Sequence, residues 1–153
     1  MRPKPSPQIK RILPGGVPLR ETRPSEENFF RSRPDIAGMA TDDGAVVLNP
    51  YSPLSEQEMD AVAINEAARV VMSTHVNLRP SFALTLEQEA AFANYGPPEC
   101  IKATVAARIL SGDPSALTPT AEQIAFVLRL AREMGIPADA GPSSPSSAPN
   151  SSF

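Results

Sequence analysis

The chain has few residues of the kinds that do covalent or metal chemistry, and their spacing limits each of them. Asn65-Glu66-Ala67-Ala68-Arg69 has the length and central glutamate of a zinc-protease helix, but Asn65 and Arg69 stand where that helix needs two imidazoles. Zinc binds thiolate, neutral imidazole or carboxylate, and a guanidinium has no lone pair to offer it. Without a metal-bound water Glu66 has no proton to take, so Glu66 and Arg69 read as an i, i+3 pair on a helix surface. His75 is the single histidine and Cys100 the single cysteine. His75 follows a helical stretch, where it can answer a terminal carbonyl. Cys100 falls in the first turn of another helix, a position that favours thiolate, but no third residue orients a Cys100–His75 pair. A lone cysteine closes no intrachain disulfide and builds no cysteine-rich metal site. Gly15-Gly16 is followed neither by Lys-Ser/Thr nor by a helix start, which excludes a phosphate loop. Asp42-Asp43 lacks the further acidic positions of a calcium loop. The expectation is a non-enzyme with no cofactor, no metal and no small-molecule substrate.

The elements that would hold these residues are mostly helices. The best specified begins at Leu54. Ser55 and Glu58 form a capping box, Leu54 and Met59 staple it, and Met59, Val62, Ala63, Ala67, Val70 and Val71 recur on one stripe as far as Met72. Thr85 with Gln88 repeats the cap pattern ahead of a short helix from Leu86 to Asn94, closed by Gly96. Pro97-Pro98-Glu99 opens a third helix with the stripe Ile101, Val105 and Ile109, ended by Gly112-Asp113-Pro114. Thr118 is placed as the cap of a fourth helix with Pro119 at its first position; its face is Ile124, Val127, Leu128, Ala131 and Met134, and Gly135 stops it. The starts at Thr85 and Thr118 are alike as helix caps are alike, not as an internal repeat. The fold class expected is mainly α, a small bundle or irregular array of about four helices over 54–134. At most one short β segment, 45–48, is expected; it would be unpaired within the chain and so favour a partner.

Composition separates this body from its ends. Of 153 residues 18 are proline, seven of them within the first 34 and four from Pro137 onward, against a background of roughly 5%. Three units follow: an extended basic Pro-rich arm at 1–35, a small helical domain at 36–135, and a disordered Ser/Pro/Ala-rich tail at 136–153, too poor in apolar residues to offset its ordering entropy. The overall charge of −3 hides an asymmetry: residues 1–34 hold eight Lys or Arg against three Glu, a net of +5, and the rest carries −8. A basic arm on an acidic body suits an acidic protein face or, weakly, nucleic acid through Arg2 to Arg33. No apolar run reaches the roughly 20 residues that span a bilayer, and the first residues lack a signal peptide's apolar core. A protein made in the cytoplasm, with no membrane association, is expected.

The residues placed at an interface lie in or near the arm. Ile9-Lys10-Arg11-Ile12-Leu13 is a short apolar-basic patch suited to adding as a strand to another subunit, and Pro14-Gly15-Gly16-Val17-Pro18 breaks the chain after it. Ser25 to Phe30 suits one helical turn before Pro34. Phe29 and Phe30 are the arm's largest apolar groups, either folded back on the domain's own core or anchored on a neighbour. Asn49-Pro50-Tyr51-Ser52-Pro53 reads as a rigid connector into the main helix. The contact set is Ile9, Ile12, Leu13, Phe29, Phe30 and Tyr51.

Four segments carry a resemblance: Pro14-Gly15-Gly16-Val17-Pro18-Leu19-Arg20, Leu48-Asn49-Pro50-Tyr51-Ser52, Asn65-Glu66-Ala67-Ala68-Arg69 and Arg108-Ile109-Leu110-Ser111-Gly112-Asp113. Across roughly residues 14 to 135 the chain resembles a family of small uncharacterised proteins from the structural-gene modules of tailed bacteriophages and prophages. The resemblance implies a virion-associated, non-enzymatic role with coat, portal or tail subunits as partners. It would be a capsid decoration or a component of the head–tail or tail-fibre junction, synthesised in the host bacterial cytoplasm. It brings no catalytic residues. The alternative class is a nucleic-acid-associated or regulatory binding protein using the basic arm.

Overall fold

A computed structural model describes residues 7–113 and 118–136. Residues 137–153 of the expected tail lie outside them, as do 1–6. The architecture is mixed α/β, not the mainly α array expected from the helix caps. Four strands, β1 (Ile9–Leu13), β2 (Val17–Arg20), β3 (Gly38–Ala40) and β4 (Val46–Leu48), form one sheet. Their order is β1-β2-β4-β3; β1 and β2 are antiparallel, β2 and β4 parallel, β3 and β4 antiparallel. Five helices accompany it: α1 (Pro24–Ser32), α2 (Glu56–Thr74), α3 (Leu86–Ala91), α4 (Pro98–Leu110) and α5 (Ala121–Glu133). Among the described residues no helix is long and apolar enough to cross a membrane.

The segment expected to be an extended arm is therefore a hairpin followed by a helix, and its prolines explain why. Pro14-Gly15-Gly16 makes a single 3-10 turn joining β1 to β2, with Gly15 at φ +84°. Pro18 sits inside β2 opposite Ile12, at a position that asks for no N–H toward β1. Pro24 is the first residue of α1, where the missing amide costs nothing. The strand expected to be unpaired, 45–48, is β4, and it lies between β2 and β3.

Helix α2 is the axis of the core. Ser55 and Glu58 form the expected capping box, with Glu58 N–H donating to Ser55 Oγ at 3.1 Å and Ser55 N–H to Glu58 Oε1 at 3.0 Å. The helix packs against the sheet on one side and α4 on the other, so Ala68 and Met72 are buried as well as Ala63, Ala67, Val70 and Val71 of its apolar stripe. Small side chains permit this close packing. A Cβ on Gly38 of β3 would lie 3.0 Å from Val62 Cγ1 of α2 and 3.0 Å from Leu48 Cδ2. Leu13, Val17, Leu19 and Val46 meet α2, α4 and α5 in one cluster with Val105, Val127 and Leu130. Phe30, Ala45 and Val47 are buried apart from it.

The hairpin is fastened at its turn: Gly15 N–H donates to the Met134 carbonyl at the end of α5, 2.8 Å away. Two boundaries also differ. Helix α3 ends at Ala91 and gives way to a 3-10 turn at Ala93–Tyr95, and α5 is capped by Thr120, not Thr118, because Gln123 lies three residues beyond Thr120 and completes a capping box.

Candidate functional site

The residues with chemical potential form a satisfied cluster where α2, β3 and α4 meet. Arg69 Nε donates to Asn65 Oδ1 at 3.2 Å and its Nη2 donates to Thr104 Oγ1 at 3.0 Å, while Thr104 donates to the Cys100 carbonyl at 2.9 Å. Glu66 lies 3.8 Å from Arg69 Nε and near the backbone of Ala40 in β3. Burial pushes the Glu66 carboxyl above its usual range, against the opposing pull of Arg69. His75 is exposed and closes α2 with its backbone N–H on the Val71 carbonyl at 3.0 Å. Cys100 is exposed on a groove of about 460 Å³ lined also by Thr41, Asp42, Arg69, Ser73 and Thr74. No hydrogen bond joins Cys100 to His75 among the described residues, and no three His, Cys, Asp or Glu side chains there gather as metal ligands.

Exposed large apolar groups lie along the whole chain, Leu54, Val76, Leu86 and Tyr95 among them, and four of the expected contact residues are on its first third. Ile9 is 59% exposed and Ile12 60% exposed, both on β1 at the edge of the sheet. Phe29 on α1 is 42% exposed and Tyr51, after β4, is 39% exposed. Leu13 and Phe30 are buried and belong to the chain's own packing. The split between the two phenylalanines is geometric: neighbours on a helix point about 100° apart, so one faces inward and the other cannot. Their rings stay tilted together with centroids 5.9 Å apart. Tyr51 is held in place by Arg31, which donates to its Oη at 3.0 and 3.2 Å and lies 5.4 Å from the ring centre.

Two residues missed by sequence reasoning fix this surface on the body. Arg20 of β2 is 5% exposed, and its guanidinium donates to both Glu26 oxygens at 2.9 and 2.8 Å, to Asp43 at 3.2 and 3.3 Å, and to the Glu21 carbonyl at 2.9 Å. Glu26 also accepts the Arg23 N–H at the start of α1, so one guanidinium, through two ion pairs, joins hairpin, helix and the β3–β4 turn. Asn49 is fully buried; its Nδ2 donates to the carbonyls of Phe30, Arg33 and Ile36, and its Oδ1 accepts Tyr51 N–H at 2.8 Å. Between the hairpin and α1 is a cleft of about 320 Å³ lined by Lys10, Glu21, Thr22, Glu27, Leu48 and Pro50.

The positive charge of this region is largely matched internally. Arg11 pairs with Asp60, Arg20 with Glu26 and Asp43, Arg23 with Asp43, and Arg33 with Asp35. Lys10 has no ion pair among the described residues. No family model, curated protein or solved structure matches this chain.

Proposed function

We propose that this chain is a non-enzymatic structural protein of a tailed-phage particle that docks on coat, portal or tail subunits through the exposed face of its β1–β2 hairpin, with Phe29 and Tyr51 alongside. The observation that carries this reading is the pair Ile9 and Ile12, two large aliphatic side chains more than half exposed on a sheet edge otherwise well tied to its core. Apolar groups fixed on a rigid element lose little entropy when a partner covers them. The matched arginines favour a protein partner over nucleic acid: neutralising phosphates requires cations not already paired, and four of this region's arginines hold carboxylates of their own chain. The phage setting rests on the four resembling segments, two of which supply Arg20 and Asn49, the residues that anchor the hairpin and α1. Quantitative mass spectrometry of purified particles tests it. The chain is expected at a fixed ratio to the coat protein, and its absence from intact particles overturns the reading.

A further inference from the structure

We infer that the free edge of β1 is a strand-addition site that takes an extended segment of the partner, apolar at its ends and acidic between; this rests on the docking reading above and specifies its partner.

The two edges of the sheet are finished differently. At the β3 edge, Gly38 packs close on Val62 of α2, and Glu66 of the same helix lies by the Ala40 backbone. Among the described residues, the β1 edge has no such cover. Glu21 N–H donates to the Gln8 carbonyl at 2.9 Å, which brackets Ile9 in a widely spaced pair with Arg20. Ile12 stands opposite Pro18, which has no N–H. In an antiparallel ladder such positions turn their own N–H and C=O away from the partner strand. The amides of Ile9 and Ile12 thus face outward, and no described group hydrogen-bonds them. The register shift between Ile9 and Arg11 makes Lys10 the extra residue of a β-bulge, which brings Ile9 and Ile12 onto the same face although three residues separate them.

Charge selects the occupant. A second copy paired antiparallel on this edge would set Lys10 and Arg11 of each chain against those of the other, with only the two Asp60 carboxylates to offset four cations. Like charges directly opposite destabilise a strand pair, and opposite charges stabilise it. Lys on an edge strand also discourages indiscriminate pairing. Glu21 and Glu27 line the cleft beside Lys10, but neither reaches ion-pair distance. A partner strand with a carboxylate between two aliphatic side chains would meet Lys10 and cover Ile9 and Ile12 together.

The test uses the full chain and two labelled seven-residue peptides, one alternating valine with glutamate and one alternating valine with lysine. The glutamate peptide should bind at least about fivefold more tightly by fluorescence anisotropy, and Lys10→Glu should reverse the order. Amide exchange should slow at Ile9 and Ile12. Ile12→Pro removes an outward N–H without breaking the hairpin ladder; with its thermal midpoint unchanged, it should abolish binding. Equal binding of the two peptides, protection at other amides, or undiminished binding by Ile12→Pro overturns strand addition. If Ile9→Asp with Ile12→Asp still abolishes particle docking in that case, the docking reading survives without it; if docking too is unaffected, both fall.

Discussion

Gln88 and Gln123 face each other in the core as a reciprocal amide pair. Gln88 Nε2 donates to Gln123 Oε1 at 2.9 Å, and Gln123 Nε2 donates to Gln88 Oε1 at 2.7 Å. Both are fully buried, and each is also the third residue of a capping box, its Oε1 accepting the N–H of Thr85 or Thr120. Two Thr-x-Glu-Gln segments therefore join the starts of α3 and α5, and Gln123 reaches further to the Ala83 carbonyl at 3.0 Å.

Truncating either partner leaves the other amide buried without its mate. Gln88→Ala and Gln123→Ala should each cost about 2–3 kcal/mol in urea denaturation. The double variant should cost clearly less than the sum, since the pair is lost only once. Strict additivity would mean that the two amides do not act together.

The hairpin turn is held by close contact as well as by its hydrogen bond. A Cβ on Gly15 would come within 2.6 Å of Val71 Cγ2, at a backbone φ of +84°. Gly15→Ala should therefore cost about 2–4 kcal/mol, part left-handed strain and part overpacking. Adding Val71→Ala should relieve the clash but not the strain, so a partial rescue in thermal denaturation is expected relative to Val71→Ala alone. A neutral Gly15→Ala would contradict this seating of the turn.

Acid should loosen the hairpin end first. The Arg20 guanidinium holds the Glu26 carboxyl below its usual range, and the Thr41 hydroxyl, with Arg20 second, brings Asp43 down to about 2. Groups with depressed folded values contribute stability that is whole above their unfolded pKa, about 4, and is lost as pH falls through the folded one. Stability should thus hold from pH 7 to about 5 and decline between about 4 and 2. Glu66 acts in the opposite sense and at higher pH: its raised carboxyl takes up a proton more readily in the fold, so its contribution rises as pH falls toward its unfolded value of about 4, before that decline. Arg20→Met should cost about 2–3 kcal/mol at neutral pH, a figure reduced because Asp43 is partly exposed, and flatten the acid limb. Denaturation midpoints across this pH series measure both.

Capping and periodicity made the helices legible in the sequence. Ser55 with Glu58 and Thr85 with Gln88 mark starts through side chains that answer backbone groups only three residues away. The cap of α5 was misplaced because Pro119 suits a first helical position after Thr118, whereas the Gln123 signal points to Thr120. The sheet was hidden for a different reason. Leu19 finds its partner at Val46, far along the chain, and each strand is too short for alternation to identify it. Pro18 reads as a breaker until the register places it opposite Ile12. Asn49 gave no local sign that its amide would gather the carbonyls of Phe30, Arg33 and Ile36. Of the interface set, the sequence could not separate Ile9 and Ile12, which face out, from Leu13, which the next register position turns inward.

The most direct test compares particles assembled with the natural chain and with Ile9→Asp plus Ile12→Asp, scored by mass spectrometry as the ratio of this chain to the coat protein. Both substituted positions are exposed, so helix content and thermal midpoint should match the natural chain. The docking reading predicts that the variant falls by at least about tenfold in the particle, the loss expected when an interface anchor is removed. Undiminished incorporation of a folded variant would contradict it.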